Sequence, residues 1–87
     1  MKDQFEKYLI QEGYKSKTPS GKPSTVYDYI KRIDFVCNEE NCDWIALATN
    51  IDNIIRSYDI GGSKEDLGRI SHNAVINALK RFQEFVH

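Results

Sequence analysis

The sequence predicts an all-α bundle of four main helices with one short extra helical turn. Three observations predict it. Apolar residues recur at intervals of three and four over separate stretches. No apolar–polar alternation of period two persists anywhere along the chain. Glycine, proline, serine and lysine gather in two connectors, residues 13–23 and 59–70, between the periodic stretches.

Residues 2–12 read as the first helix, with Phe5, Tyr8 and Leu9 on one face. Gly13 ends it, because glycine takes left-handed backbone at little cost. After the connector comes the best-specified helix, Thr25 to Asn38. Pro23 disfavours helical geometry at Lys22, and the Ser24 hydroxyl is placed to accept from an amide of the first turn. Val26, Tyr29, Ile30, Ile33, Val36 and Cys37 form its apolar stripe. Thr25, Asp28, Lys31 and Arg32 lie off that stripe, with Tyr27 at its margin. Glu39, Glu40 and Asn41 break the pattern.

Asp43 is the expected cap of a short turn carrying Trp44, Ile45, Leu47 and Ala48, with Trp44 plugging the core. Asn50 is the expected cap of a third helix, Ile51 to Tyr58, whose apolar positions are Ile51, Ile54, Ile55 and Tyr58. Gly61-Gly62 marks a turn, and Ser63 to Leu67 has room for one turn of helix. The last helix is expected to take Ser71 as its cap and run from His72 to Val86, with Val75, Ile76, Leu79, Phe82, Phe85 and Val86 inward. Asn73 and Asn77 stand four apart on its polar face.

Composition bounds the chemistry. Eighty-seven residues, 40% hydrophobic and 29% charged, describe one small globular domain. No apolar run approaches the roughly 20 residues that cross a bilayer, and no stretch resembles a signal peptide, so the expected setting is cytoplasmic. Cys37 and Cys42 with the distant His72 and His87 do not make a four-ligand zinc set, and two free thiols are expected. Gly61-Gly62 has neither the dinucleotide nor the Walker spacing. No nucleophile–base array or carboxylate pair emerges, so neither catalysis nor a cofactor is expected.

The net charge of −1 argues against an indiscriminate polyanion binder, but its distribution is uneven. Residues 13–33 carry Lys15, Lys17, Lys22, Lys31 and Arg32 against Asp28, a net +4. Residues 34–63 carry Arg56 against Asp34, Glu39, Glu40, Asp43, Asp52 and Asp59, a net −5. Such polarity suits a protein with one phosphate-facing side. Asn73 and Asn77 are of the type that bonds adenine in the major groove; the same spacing suits two solvated amides.

In order and spacing, several of these residues resemble the core-binding domain of tyrosine recombinases, the phage-integrase family. In the second helix they are Ser24, Thr25, Tyr29, Ile33 and Val36. In the last they are Ala78-Leu79, Lys80, Phe82 and Phe85. The segment from Asp43-Trp44 to Tyr58 is of the same kind, and the resemblance spans Phe5 to Val86. An insertion-like Ser-Gly-Lys-Pro before Ser24, the long Gly61–Ile70 connector, and Ala74-Val75 in place of basic residues depart from the pattern.

The resemblance implies a SAM-like orthogonal bundle of four to five helices, excised from a longer recombinase and not catalytic alone. It implies three partners: double-stranded DNA at a recombination core site, a C-terminal catalytic domain, and other protomers. The starts of the second and fourth helices would approach the major groove. Ser24 and Ser71 would then present helix amides to phosphates. Lys17, Lys22, Lys31 and Arg69 would supply the salt-dependent attraction. Each phosphate neutralised adds about 0.9 to the salt slope, so four cations predict a slope of about three to four. Thr25, Tyr27, Asp28, Asn73 and Asn77 would reach base edges directly or through water, and His72 belongs to the same DNA-binding set. Asp28 is the oddity, since a carboxylate repels phosphate; it would accept from a cytosine amino group, or pair with Lys31 or Arg32. The competing expectation is a small helical protein–protein interaction domain without DNA binding.

Overall fold

A computed structural model describes residues 1–14 and 25–87. The expectations for Lys17, Lys22 and Ser24 fall outside these residues. Among the described residues there are six helices and no strand: α1 (Lys2–Gln11), α2 (Thr25–Glu40), α3 (Trp44–Thr49), α4 (Ile51–Tyr58), α5 (Glu65–Gly68) and α6 (Ile70–Val86). None is long and apolar enough to cross a membrane.

The helix ends follow from local chemistry. At the end of α1, Gly13 takes φ +97°. Its N–H donates to the Ile10 carbonyl and the Tyr14 N–H to the Leu9 carbonyl, both at 3.1 Å. These are the paired back-bonds of a Schellman cap. The same motif closes α2 two residues later than its apolar stripe suggests. Asn41 takes the left-handed position at φ 53°, and the Cys42 N–H reaches the Cys37 carbonyl at 3.0 Å. Asparagine tolerates this conformation because its short amide can bond locally. Asp43 caps α3 as expected, its Oδ1 accepting from the Ala46 N–H at 2.8 Å. Asn50 does not cap α4 with its side chain. Its Nδ2 donates back to the Ala46 carbonyl at 3.1 Å, so the side chain closes α3 instead.

Phe5, Leu9, Val26, Ile33, Val36, Leu47, Tyr58, Val75, Leu79 and Phe82 are buried in one core. The two long helices, α2 and α6, make the most extensive helix–helix contact within it. Phe5 carries α1 onto them, its ring centroid 5.2 Å from Phe82 and 5.4 Å from Phe85. Trp44 covers the core more than it plugs it, half-buried and edge-on to Phe5 and Phe82 at 5.9 and 5.4 Å. Its indole N–H donates to Asp34 Oδ1 at 2.8 Å, and Lys2 Nζ meets Asp34 Oδ2 at 3.1 Å. One carboxylate of α2 thereby ties down α1 and α3. Cys37 and Cys42 are free thiols. Burial pushes the Cys37 thiol up to about 12.

The second connector folds back on α4. Gly62 lies where a Cβ would strike the carbonyl oxygens of Arg56 and Ser57, and a Cβ on Gly68 would overlap the Tyr58 carbonyl oxygen. Tyr58 OH donates to Glu40 Oε2 at 2.9 Å, and Lys64 pairs with the same oxygen. This joins the end of α2 to α4 and the connector. Burial pushes the Glu40 carboxyl upward, but the hydrogen bonds from Lys64 and Tyr58 outweigh it and hold the group below its ordinary value.

The start of α6 corrects the expectation of a serine-capped helix. Ser71, His72 and Asn73 have φ values of 56°, 58° and 69°, a left-handed kink that divides Ile70 from the regular helix. Ser71 caps nothing. The N-cap position is Arg69, with no side-chain cap bond, and the Ser71 hydroxyl accepts from Arg32 Nη2 at 2.9 Å. Ser71–Asn73 is thus a kinked turn, and the regular part of α6 begins beyond it, at Ala74.

Two outcomes follow from this packing. Gly68→Ala should destabilise the domain by about 1–3 kcal/mol, because the obstacle is backbone and cannot swing away; the midpoint of urea unfolding measures it. Glu40→Gln should cost about 1–2 kcal/mol near neutral pH. A carboxyl with a lowered folded value stabilises above its ordinary pKa and loses that contribution as pH falls through the folded value. The gap between Glu40→Gln and wild type should therefore close below about pH 4, as read from unfolding curves across that range.

Candidate nucleic-acid interface

On α2 the polar residues form one arc. At about 3.6 residues per turn, Tyr27, Lys31, Asp28, Arg32 and Thr25 follow one another around the helix, opposite Val26, Ile33 and Cys37. Thr25 and Lys31 are exposed and Tyr27 is 55% exposed. Asp28 is half-buried and pairs with Arg32, Oδ1 lying 3.4 Å from Nε. Of the roles open to this carboxylate, the intrahelical pair is the one the geometry contains. Arg32 sits at the edge of the arc and reaches across to Ser71, bringing the polar side of α2 to the entry of α6.

Ser71, His72, Asn73 and Asn77 are all exposed. The left-handed backbone at Asn73 breaks the helical stacking of Asn73 over Asn77. Both amides nevertheless line one groove of about 550 Å³ between the end of α4, α5 and the first turns of α6. Its apolar surface comes from Tyr58, Ile60 and Ile76, and its other polar groups include Arg69, His72 and Lys80. Two cations here already have acidic partners. Arg69 Nη2 lies 2.6 Å from Glu65 Oε2, and Lys80 Nζ lies 3.7 Å from Asp59 Oδ2. The groove is thus a field of balanced pairs with amides between them, not the bare positive patch that the cation count suggests.

A second polar cluster flanks α2. Tyr14, the last described residue before the basic connector, packs edge-on against Tyr29 at 5.5 Å and accepts from Arg81 Nη1 at 3.4 Å. Burial raises the Tyr29 hydroxyl above its ordinary value, and the neighbouring Tyr14 adds to the rise. Arg81 also binds Glu84 at 2.8 Å. This cluster anchors the N-terminal end of the connector against α2 and α6.

The structure brings together Asp28 and Ser71 through Arg32, and Arg69, His72, Asn73 and Asn77 through the groove. It does not bring Arg69 to the α2 arc as a cation without a partner. Sequence reasoning left Arg32 and Lys80 out of the site. The four-residue spacing of Asp28 and Arg32 was a signal for the first; nothing local signalled the reach to Ser71, 39 positions away.

No family model, curated protein or solved structure matches this chain. The likeness to the phage-integrase core-binding domain therefore rests on its own residues.

Proposed function

We propose that this chain is a DNA-binding module of the SAM-like, orthogonal core-binding kind, acting within a tyrosine recombinase and not catalytic alone. The single observation that carries the reading is the Arg32–Ser71 hydrogen bond. It sets the hydroxyl-bearing and basic arc of α2 beside the exposed amides and imidazole of α6. Of the positions with the integrase-like order of residues, Thr25 shares the α2 arc with Arg32, and Lys80 lines the groove with Asn73 and Asn77. Duplex DNA would meet Lys31 at phosphates, and Thr25, Tyr27, Asn73 and Asn77 at base edges. The parent's catalytic domain would close on the opposite side of the duplex, with neighbouring protomers completing the assembly in a cytoplasmic, nucleoid-associated setting.

A second reading, a protein–protein interaction module, draws on two exposed aliphatics: Ile60 at 82%, on the groove, and Ile45 at 66%, on α3. Salt dependence separates the two readings.

In fluorescence titrations of a mixed-sequence duplex, log affinity should fall linearly with log salt, by about 0.9 per phosphate contacted. Lys31→Glu should weaken binding severalfold and lower that slope. Glu65→Gln releases Arg69 and should strengthen binding. A binding curve that ignores salt and both substitutions defeats the DNA reading.

A further inference from the structure

The last turn of α2 brings the chain's two cysteines together. Cys37 lies one turn before the left-handed Asn41 and Cys42 directly after it. These are the two positions whose side chains a Schellman cap sets against each other. The Cys42 N–H meets the Cys37 carbonyl at 3.0 Å. Across that bond, standard bond lengths hold the two Cα atoms to at most about 6.9 Å, and its bent angles bring them closer. Disulfides span about 4.4–6.8 Å between Cα atoms.

The two thiols also feel each other. Burial raises the Cys37 thiol, and Cys42 adds to the rise. Burial raises the Cys42 thiol too, but a hydrogen bond with Cys37 works against it. That pattern is a Cys37 S–H donating to the Cys42 sulfur, which favours charge on Cys42. Access divides them in the same sense. Cys37 is 8% exposed, whereas Cys42 is half-buried and lines a groove of about 380 Å³ between the end of α2, α3 and α4. A small molecule in that groove reaches Cys42 first, with Cys37 behind it. Among the described residues, no third histidine, cysteine or carboxylate joins the pair as a metal-ligand set.

We propose that Cys37 and Cys42 are a redox pair that closes reversibly into an intramolecular disulfide, with a small disulfide of the glutathione class as oxidant. The inference is independent of the DNA reading. The Cys42 thiolate attacks one sulfur of oxidised glutathione. A Cys42–glutathione bond forms, the glutathione S–S bond breaks, and the first glutathione leaves as a thiolate that takes up the Cys42 proton. Cys37 then gives up its proton and attacks the Cys42 sulfur, and the second glutathione leaves with that proton. Two cysteine thiols are oxidised and one glutathione disulfide is reduced to two thiols. The second step is intramolecular, which offsets the small thiolate fraction of buried Cys37. The closed ring encloses Glu40, whose carboxylate ties α2 to Tyr58 and Lys64.

The experiment treats the folded 87-residue chain with millimolar oxidised glutathione and follows intact mass and free thiols. Wild type should lose both thiols and about 2 Da, the two hydrogens of a closed disulfide, and regain them with dithiothreitol. Acid quenching at early times should trap glutathione on Cys42, located by peptide mapping. Cys37→Ala should stop at that mixed disulfide. Cys42→Ala leaves only the buried thiol and should react about tenfold or more slowly than Cys37→Ala. Circular dichroism checks the fold of both variants, and the early-quench mapping of wild type decides the order of attack without them. Wild type that stays reduced, that keeps glutathione on Cys42 without closing, that carries it first on Cys37, or that oxidises only to dimers overturns the redox pair. Equal rates in the two folded variants overturn the roles assigned to the two thiols.

Discussion

The bundle depends on how Phe5 is received. A ten-residue helix is marginal on its own in water, and α1 has no side-chain cap at its start. What makes it part of the domain is one fully buried ring, set among Tyr8, Trp44, Phe82 and Phe85 with centroids 5.2–6.4 Å away. Edge-on and tilted contacts of this kind add to the burial of the rings. Because Phe82 and Phe85 belong to α6 and Trp44 opens α3, the same cluster sets the last turns of α6 and the start of α3. Asp34 reinforces it from α2 by holding both Lys2 and the Trp44 indole.

Electrostatics acts across the fold rather than along the chain. The acidic stretch 34–63 is met by lysines from both ends: Lys2 at Asp34, Lys64 at Glu40 and Lys80 at Asp59. His87 adds a contact to Asp52, whose carboxyl is held below its ordinary value chiefly by the Gln83 amide and then by His87. Such pairs, mostly half-exposed, contribute little each to stability. Their effect is on the field. They quench the negative segment internally and leave residues 13–33, net +4 by sequence, as the basic part of the chain.

Much of the helical layout was legible in the sequence because burial imposes its own period. The spacing of Phe5 and Leu9, of Val26, Ile33 and Val36, and of Val75, Leu79 and Phe82 names the core. Gly13 and Asp43 were legible because their chemistry is local. Where the chain departs from expectation, the cause is distant or ambiguous. Asn41 can end a helix as glycine does, which the run of glutamates before it concealed. Ser71 has the signature of an N-cap, yet its hydroxyl is taken by an arginine on another helix. Gly68 looks like an ordinary connector glycine until the Tyr58 carbonyl lies against it. The site suffered most from this, since its geometry is made by Arg32 across the bundle and by the ion pairs that claim Arg69 and Lys80.

Trp44 is the single tryptophan of the chain. Its ring touches Phe5 edge-on, its nitrogen is bonded to Asp34, and Lys2 Nζ stands 5.5 Å from its centre. Two of those neighbours, Phe5 and Lys2, belong to α1 and reach the ring only when that helix is seated. The indole is thus an intrinsic optical gauge of that helix: its emission colour and intensity read whether the amino-terminal segment is docked, separately from the amide signal that reports total helix.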